Sequence, residues 1–488
     1  MILEKHGKKN TAKKLDNTLF VRWKKISKNK VIMTNDFGGY IILKEKDLND
    51  YISNKITKKH RLYKELSEKG FIKTFMDFDS LFRKWKDLNS YLFTGPSLHI
   101  IVITLRCNQR CIYCQSQAVG MKDTDTDMNI NTAKKAVDTA FLSPSKNLII
   151  EFQGGEPLVN WDVVKKTIEY AREKEKKSDK RLSLSVVTNF SLMDEKKAEF
   201  LLRNEISLCT SLDGPKRLHE SNRIYSGSSS YELAVKWIKY FNNKYEKQHG
   251  LSYRIFKPSA LLTVSKKSLD YPKEIVDEYV KNGLETIFIR PLSPIGFAKK
   301  HWNIIGYTPD EFVDFYKKAL EYIIKLNIKG KILYEKTAQM LLNKIINSKD
   351  HGFTDLRCPC GAATGQIAYN FNGDVYTCDE GRMVGWEGDE SFKIGNLFSD
   401  SYSKLINSPI TRICMHTSNL ENQPRCSRCP YMPWCGVCPV VNYESQSNFW
   451  GDNFTSSRCA IMMGIFDTLF EFMENKSYSK VLNDWVKI

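Results

Sequence analysis

The sequence predicts an α/β protein in which a partial (β/α)6 barrel lies between a small N-terminal α+β module and a cysteine-rich C-terminal domain. Three observations carry this prediction. From residue 96 to 325, buried-strand runs alternate with helical stretches six times, the pattern of a parallel sheet curled beneath a layer of helices. Before that, three short strand-like runs precede two helical ones. Beyond residue 326, cysteines, glycines and prolines crowd a region with few long periodic segments. Such a region cannot easily build a large apolar core and is plausibly held by metal centres.

In residues 1–95 a basic tail, MILEKHGKKNTAKK, reads as disordered and leads into LFVRWKKI, KVIMTN and YIILK, with the turn signals KNK and NDFGG between them. LNDYISNKI and RLYKELSEKGFI then place apolar residues at helical spacing. The six barrel strands are LHIIVITL, NLIIEF, LSLSVVTN, ISLCTSLD, RIFKPSALLTV and TIFIRPLS. Helical stretches such as AKKAVDTAFL, WDVVKKTIEYAREKE and YELAVKWIKYFNNKY separate them. Chemistry is expected at the C-terminal ends of these strands. Residues 326–488 open on a helical segment and close on an amphipathic helix, MMGIFDTLFEFMEN.

Composition narrows the function classes. At 488 residues with 42% hydrophobic content the chain can bury a substantial core. Runs such as LHIIVITL are far shorter than the roughly 20 residues that span a bilayer. The N-terminus lacks a signal-peptide apolar core, so the chain reads as cytoplasmic, with no membrane partner. The net charge of +18 favours acidic partners. Its lysines are spread along polar helix faces, however, which argues for a solvated surface over a nucleic-acid stripe. Thirteen cysteines is an odd number, and all but Cys209 and Cys414 cluster along the chain, which suits metal ligation better than disulfides. Cys209, inside an apolar strand, reads as a small core residue, and Cys414 has no spacing partner.

Just past the first barrel strand, CNQRCIYC spaces Cys107, Cys111 and Cys114 so that one loop can wrap three thiolates around a single centre. Iron–sulfur cubanes normally take four cysteines, so three leave one iron with open positions. The alternative is a zinc knuckle with its fourth ligand elsewhere. The second strand ends in FQGGEP. Its glycines allow close backbone approach and Glu156 can accept from an ammonium, although GGEP also suits an ordinary strand-to-helix turn.

Cys107-x3-Cys111-x2-Cys114 after the first strand of a β/α array, with Tyr113 before the last cysteine, resembles the radical S-adenosylmethionine (radical SAM) superfamily. The resemblance implies a [4Fe–4S] cluster whose open iron is chelated by S-adenosylmethionine. One-electron reduction then gives a 5′-deoxyadenosyl radical that abstracts hydrogen from substrate. It further implies that Tyr113 lies near the adenine and that Gln153, Gly154, Gly155 and Glu156 hold the amino group. VVTNF, SLDGP and the following segment resemble the peptide-modifying branch, in which Thr188, Asn189, Ser211 and Arg223 line the cofactor site. Arg223 suits the cofactor carboxylate. Asp213 is the candidate catalytic, proton-handling residue, with turn formation in Asp-Gly-Pro as the alternative.

The C-terminal cysteines resemble the SPASM domain, which implies two auxiliary [4Fe–4S] clusters. Position by position, Cys426, Cys429, Cys435 and Cys459 would hold one, and Cys378, Cys438 and one or both of Cys358 and Cys360 the other. CGVC has one residue fewer than the family's usual spacing, and CPC is closer than its usual upstream pair. Both departures point to an open or non-cysteine position on the first auxiliary cluster. A zinc ribbon built from CSRC and CGVC is the alternative.

LHIIVITLRCNQRCIYCQ, GDVYTCDEGRM and YMPWCGVCPVVNY look most like the His-Xaa-Ser system radical SAM maturases. That group implies a ribosomally made precursor peptide with His-Xaa-Ser repeats as partner, a side-chain crosslink or related oxidation as product, and an electron donor such as flavodoxin or ferredoxin. The N-terminal module resembles domains that grip a leader peptide by strand addition, with a structural role as the alternative. Competing functions are a formylglycine-forming sulfatase maturase, an RNA-binding or RNA-modifying protein, and a non-catalytic metal-stabilised scaffold.

Overall fold

A computed structural model of the protein describes residues 19–73, 76–92, 94–247, 257–350 and 352–487. The basic tail and the first three residues of RIFKPSALLTV lie outside the described residues. The chain divides into two compact units, Met1–Leu88 with Arg428–Pro433, and Asn89–Ser427 with Trp434–Ile488.

The first unit is an antiparallel sheet of β1 (Arg22–Ser27), β2 (Lys30–Thr34) and β3 (Tyr40–Lys44), with β2 central. Its register sets Trp23 opposite Met33 and Ile32 opposite Ile42. Val31, Met33, Ile41 and Leu43 pack on Leu48, Tyr51, Leu66 and Phe71 in one apolar core. The turn before β3 is held by Asn35, whose Oδ1 accepts from the amides of Phe37 and Gly39 at 3.1 and 2.9 Å. Gly39 is required there, because a Cβ would lie 2.3 Å from the Lys69 carbonyl oxygen. Besides the two expected helices, here Glu45–Ile52 and Tyr63–Glu68, a third runs over Phe78–Leu88. The Thr34 hydroxyl donates to the carbonyl of Pro430, tying the 428–433 segment into this unit.

The second unit is organised by a ten-stranded sheet. Its strands are β4 (Leu98–Thr104), β6 (Asn147–Gly154), β7 (Arg181–Val187), β8 (Ile206–Ser211), β10 (Ser259–Thr263), β11 (Thr286–Arg290), β12 (Tyr334–Glu335), β13 (Gln366–Tyr369), β14 (Asp374–Tyr376) and β15 (Lys393–Asn396). Two further short strands, β5 (Arg110–Cys111) and β9 (Arg223–Ile224), pair with each other. The sheet order is β12-β11-β10-β8-β7-β6-β4-β13-β14-β15. All pairings from β12 to β13 are parallel, and β13, β14 and β15 are antiparallel. Helices such as Ile130–Phe141, Trp161–Lys176, Glu195–Arg203 and Pro272–Lys281 follow the strands. The six expected strands form the partial barrel, which is open because β12 and β15 end the sheet.

Local chemistry explains the elements. β4 is almost wholly buried, as a central parallel strand covered on both faces should be. β6 and β7 alternate, burying Leu148, Ile150 and Phe152 on one and Leu182, Leu184 and Val186 on the other. Asn129 and Asp194 cap the helices they precede, and Thr308 with Glu311 forms a capping box. The cysteine-rich region contributes strands as well as loops, since β13 adds to β4 in the register Gln366 to Leu98 and Tyr369 to Ile101. MMGIFDTLFEFMEN lies in helix Ser457–Glu474 up to its last residue, Asn475, which caps the next helix, Lys476–Asp484, so it is not the last helix described. Among the described residues no helix is long and apolar enough to cross a membrane.

Two buried histidines give this fold an acid-side weakness. His99 on β4 stacks on Tyr369 of β13, with its Nδ1 3.0 Å from the Tyr369 hydroxyl and its Nε2 3.2 Å from the Pro96 carbonyl. His219 Nδ1 accepts from the Asp213 amide at 3.3 Å. Burial lowers each histidine to about 4. A folded pKa below the unfolded one means that the unfolded chain binds more protons between pH 6.5 and 4. The stabilisation is therefore complete above pH 6.5 and lost as pH falls through 4. Each site should lose on the order of 3 kcal/mol across that window. Urea unfolding followed against pH should show this slope, and His99→Gln should flatten it.

Candidate functional site

A cavity of about 240 Å³ opens at the C-terminal ends of the barrel strands. Its wall includes all three cysteines of the loop after β4, and also Tyr113, Gln153, Gly154, Gly155, Glu156, Thr188, Asn189, Ser211 and Arg223. Every cofactor residue expected from the resemblance thus lines one space.

The β5–β9 pairing sets Cys111 opposite Arg223, and the Arg223 guanidinium lies 3.7 Å from Cys111 Sγ. Cys107 Sγ faces the Gln109 amide at 3.4 Å and the Asn189 side-chain amide at 3.8 Å. Burial pushes the Cys111 thiol up to about 12 and raises Cys107 further, with neighbouring cysteines adding to both. Cys107 and Cys111 resist ionising, so they need a bound cation to become thiolates.

Glu156 is buried beneath the glycines. Its carboxylate accepts from the Leu158 amide at 3.0 Å, the Thr188 hydroxyl at 2.7 Å and the Asn189 amide at 2.8 Å. Burial still raises it to about 7, because no cation faces it closely. An ammonium group is the partner this environment lacks. A Cβ at Gly155 would lie 2.3 Å from the Arg106 carbonyl oxygen and one at Gly154 2.2 Å from that of Thr104. Both positions therefore need glycine where the loop crosses β4.

Asp213 does not line the cavity. Fully buried behind Tyr113 and Arg223, it accepts from the Tyr113 hydroxyl and from Arg223 Nε at 3.2 Å, and its Oδ1 has no partner among the described residues. The Arg223 guanidinium also lies over the Tyr113 ring at 5.3 Å. This geometry sets Asp213 against two groups that line the cavity, not in the cavity itself.

Besides Arg110 within the cysteine loop, three charged wall residues went unnoticed in the linear chain: Arg290 at the end of β11, and Asp379 and Glu380 at the start of helix Asp379–Trp386. The only hints were charges beside a strand end in FIRPLS and beside a cysteine in TCDEG. Asp379 is held by Arg382, whose Nε and NH2 donate to it at 3.1 and 2.8 Å. Glu380 is raised to about 7 by burial and by Asp355 and Asp379, with Arg290 opposing. The cavity thus combines the cysteine loop and QGGEP with polar groups of both charges.

Among the C-terminal cysteines, Cys360, Cys378 and Cys438 share one buried core. Cys358 is directed elsewhere, its Sγ accepting from the Leu420 amide at 3.3 Å. Cys426, Cys435 and Cys459 belong to the second unit, whereas Cys429 lies in the segment grouped with the first. Cys209 stays within β8, half-buried.

Residues 101–256 match the radical SAM superfamily, and residues 358–430 match an iron–sulfur cluster-binding domain, SPASM. The chain carries a radical SAM domain and a SPASM domain. Similar proteins include a cysteine-type anaerobic sulfatase-maturating enzyme of Clostridium novyi (strain NT), 24% identical over 67% of this chain and 83% of that one. Another is the radical SAM cyclopropyl synthase TigE of Paramaledivibacter caminithermalis, 22% identical over 87% of this chain and 83% of that one. A solved structure of anSMEcpe with bound AdoMet and the Cp18Cys peptide shares the fold, with a TM-score of 0.62, 18% identity and coverage of 80% and 99% of the two chains. The two domains imply a [4Fe–4S] cluster, auxiliary clusters and S-adenosylmethionine as cofactors, and an enzyme of S-adenosylmethionine radical chemistry. The chemistry of the cavity suits that set: three thiols that would hold the cluster, Glu156 that would take the methionine ammonium and Arg223 that would take its carboxylate.

Proposed function

We propose that the protein matures a ribosomally made precursor peptide by abstracting hydrogen from a side chain, leading to a crosslink or a related oxidation. One observation carries this reading: the predicted cofactor residues share a single cavity with Arg290, Asp379 and Glu380, so a peptide segment held by those charged groups would lie in the same space as the cofactor. Reductive cleavage of bound S-adenosylmethionine supplies the hydrogen-abstracting radical. The protein's own part is positional. Cys107, Cys111 and Cys114 hold the cluster, Glu156 with Thr188 and Asn189 orients the methionine end, and Asp213 fixes Tyr113 and Arg223. Asp379 and Glu380 offer carboxylates to a substrate across the cavity. A flavodoxin or ferredoxin would supply the electron.

The alignment with the cyclopropyl synthase covers 87% of this chain, a share that must include part of the N-terminal unit. A leader peptide could add to β1 or β3, the edge strands of its three-stranded sheet. His-Xaa-Ser repeats in the precursor are the substrate pattern we favour. The likeness to sulfatase-maturating enzymes supports a second reading, oxidation of a side chain to formylglycine.

The two readings separate by mass spectrometry. Coexpression with a precursor peptide encoded beside the gene should yield a peptide that has lost hydrogen and fails to fragment between the joined residues. An aldehyde that reacts with hydrazide would indicate formylglycine instead. An unmodified peptide from cells whose enzyme cleaves S-adenosylmethionine would reject the peptide reading.

A further inference from the structure

We propose that Cys414 is the fourth ligand of the first auxiliary cluster, completing the set of Cys360, Cys378 and Cys438, and that Cys358 is not a ligand. The inference rests on the reading that this region holds auxiliary clusters. It fills the position that CPC and CGVC leave in doubt. Cys414 gives no signal in the linear chain, because it sits inside helix Pro409–Ser418 without a cysteine nearby.

Four observations converge on it. The thiols of Cys360, Cys378, Cys414 and Cys438 belong to one buried core, with exposures of 4, 3, 0 and 4%. They come from four separate places: a loop, the caps of helices Asp379–Trp386 and Pro439–Gln446, and the Pro409–Ser418 helix. Charges on these cysteines act on one another, Cys438 on Cys360, Cys378 and Cys414, and Cys414 on Cys360. The backbone ties the helix to the loop, because the Cys360 amide donates to the Ser418 hydroxyl at 2.8 Å and that hydroxyl donates to the Cys414 carbonyl at 2.6 Å.

Cys358 behaves differently. Its amide donates to the Tyr91 hydroxyl at 3.1 Å, and that hydroxyl donates back to its carbonyl at 2.8 Å. Its sulfur receives the Leu420 amide, and the charges that act on it most are Lys344 and Glu421, not a cysteine.

The surroundings of the quartet suit an anionic cluster. The Arg458 guanidinium acts on both Cys360 and Cys438, and its buried Nε has no hydrogen-bond partner among the described residues. An N–H donor left over beside buried sulfurs is what an iron–sulfur cluster accepts.

The test uses the full chain with Cys107, Cys111 and Cys114 replaced by alanine, reconstituted anaerobically so that only the auxiliary clusters report. This parent should hold roughly eight irons, those of two cubanes. Cys414→Ala and Cys414→Ser should each take iron toward half of that and remove one of the two reduced-cluster EPR signals, whereas Cys358→Ser should keep both. Full iron and both signals in Cys414→Ala would overturn the inference, as would a lost signal in Cys358→Ser. If neither Cys414 variant folds, Cys358→Ser decides alone, both signals supporting the assignment and one refuting it. A parent without iron would overturn the cluster reading itself, and the inference with it.

Discussion

Alanine at Cys107, Cys111 and Cys114 together is expected to abolish reductive cleavage of S-adenosylmethionine. With dithionite as reductant, formation of 5′-deoxyadenosine should fall by more than about 10⁴-fold, because only uncatalysed background remains. Iron should fall from roughly twelve per chain to roughly eight, one cubane's worth. The loss should be this complete because Cys107, Cys111 and Cys114 are the cysteines that line this cavity among the described residues, and no other thiol there can replace them. Glu156 would keep its hydrogen bonds to Leu158, Thr188 and Asn189, so the fold should survive and thermal unfolding should change little. Residual cleavage near the parent rate would show that the electron reaches S-adenosylmethionine from elsewhere.

Asp213→Ala should instead act on stability first. Asp213 is fully buried against Arg223, which is itself largely buried, and it also receives the Tyr113 hydroxyl. Removing one partner of a buried pair leaves an uncompensated charge and costs about 3–5 kcal/mol. The protein without cofactors should melt several degrees lower. S-adenosylmethionine should bind more weakly, because Tyr113 and Arg223 line its cavity and lose their common anchor. Asp213→Asn keeps an acceptor for the Tyr113 hydroxyl and should fall between the two. Differential scanning fluorimetry and calorimetric titration check both effects. An Asp213→Ala protein with wild-type melting and weakened turnover alone would make Asp213 a chemical participant instead of a positioning residue.

Much of the site was legible before any coordinates. Cys107, Cys111 and Cys114 lie within eight residues, and the QGGEP glycines sit at a strand end, so short-range spacing already specified what they could hold. Thr188, Asn189 and Ser211 follow the same rule, since Thr188 and Asn189 come directly after β7 and Ser211 ends β8, strands whose apolar runs are readable from their neighbours. Arg223 was also anticipated, although only the β5–β9 pairing shows that it reaches Cys111.

Other features belong to the folded chain alone. Asp213 had two roles open to it in the Asp-Gly-Pro turn, and its burial behind Tyr113 separates it from the cavity. Arg290, Asp379 and Glu380 become neighbours only when helix Asp379–Trp386 meets the end of β11. The union of β13 with β4 joins the cysteine-rich region to the barrel sheet across more than two hundred and fifty intervening residues. Cys414 is the sharpest case: spacing isolated it, and packing set it among Cys360, Cys378 and Cys438.

The division has a physical cause. Strand and helix periodicity, turn chemistry and a tight ligand loop follow from neighbours a few residues apart, so the linear chain already contains them. Which thiols and carboxylates share one buried volume depends on where distant segments cross, and burial together with unsatisfied polar atoms then decides which of them can serve as ligands.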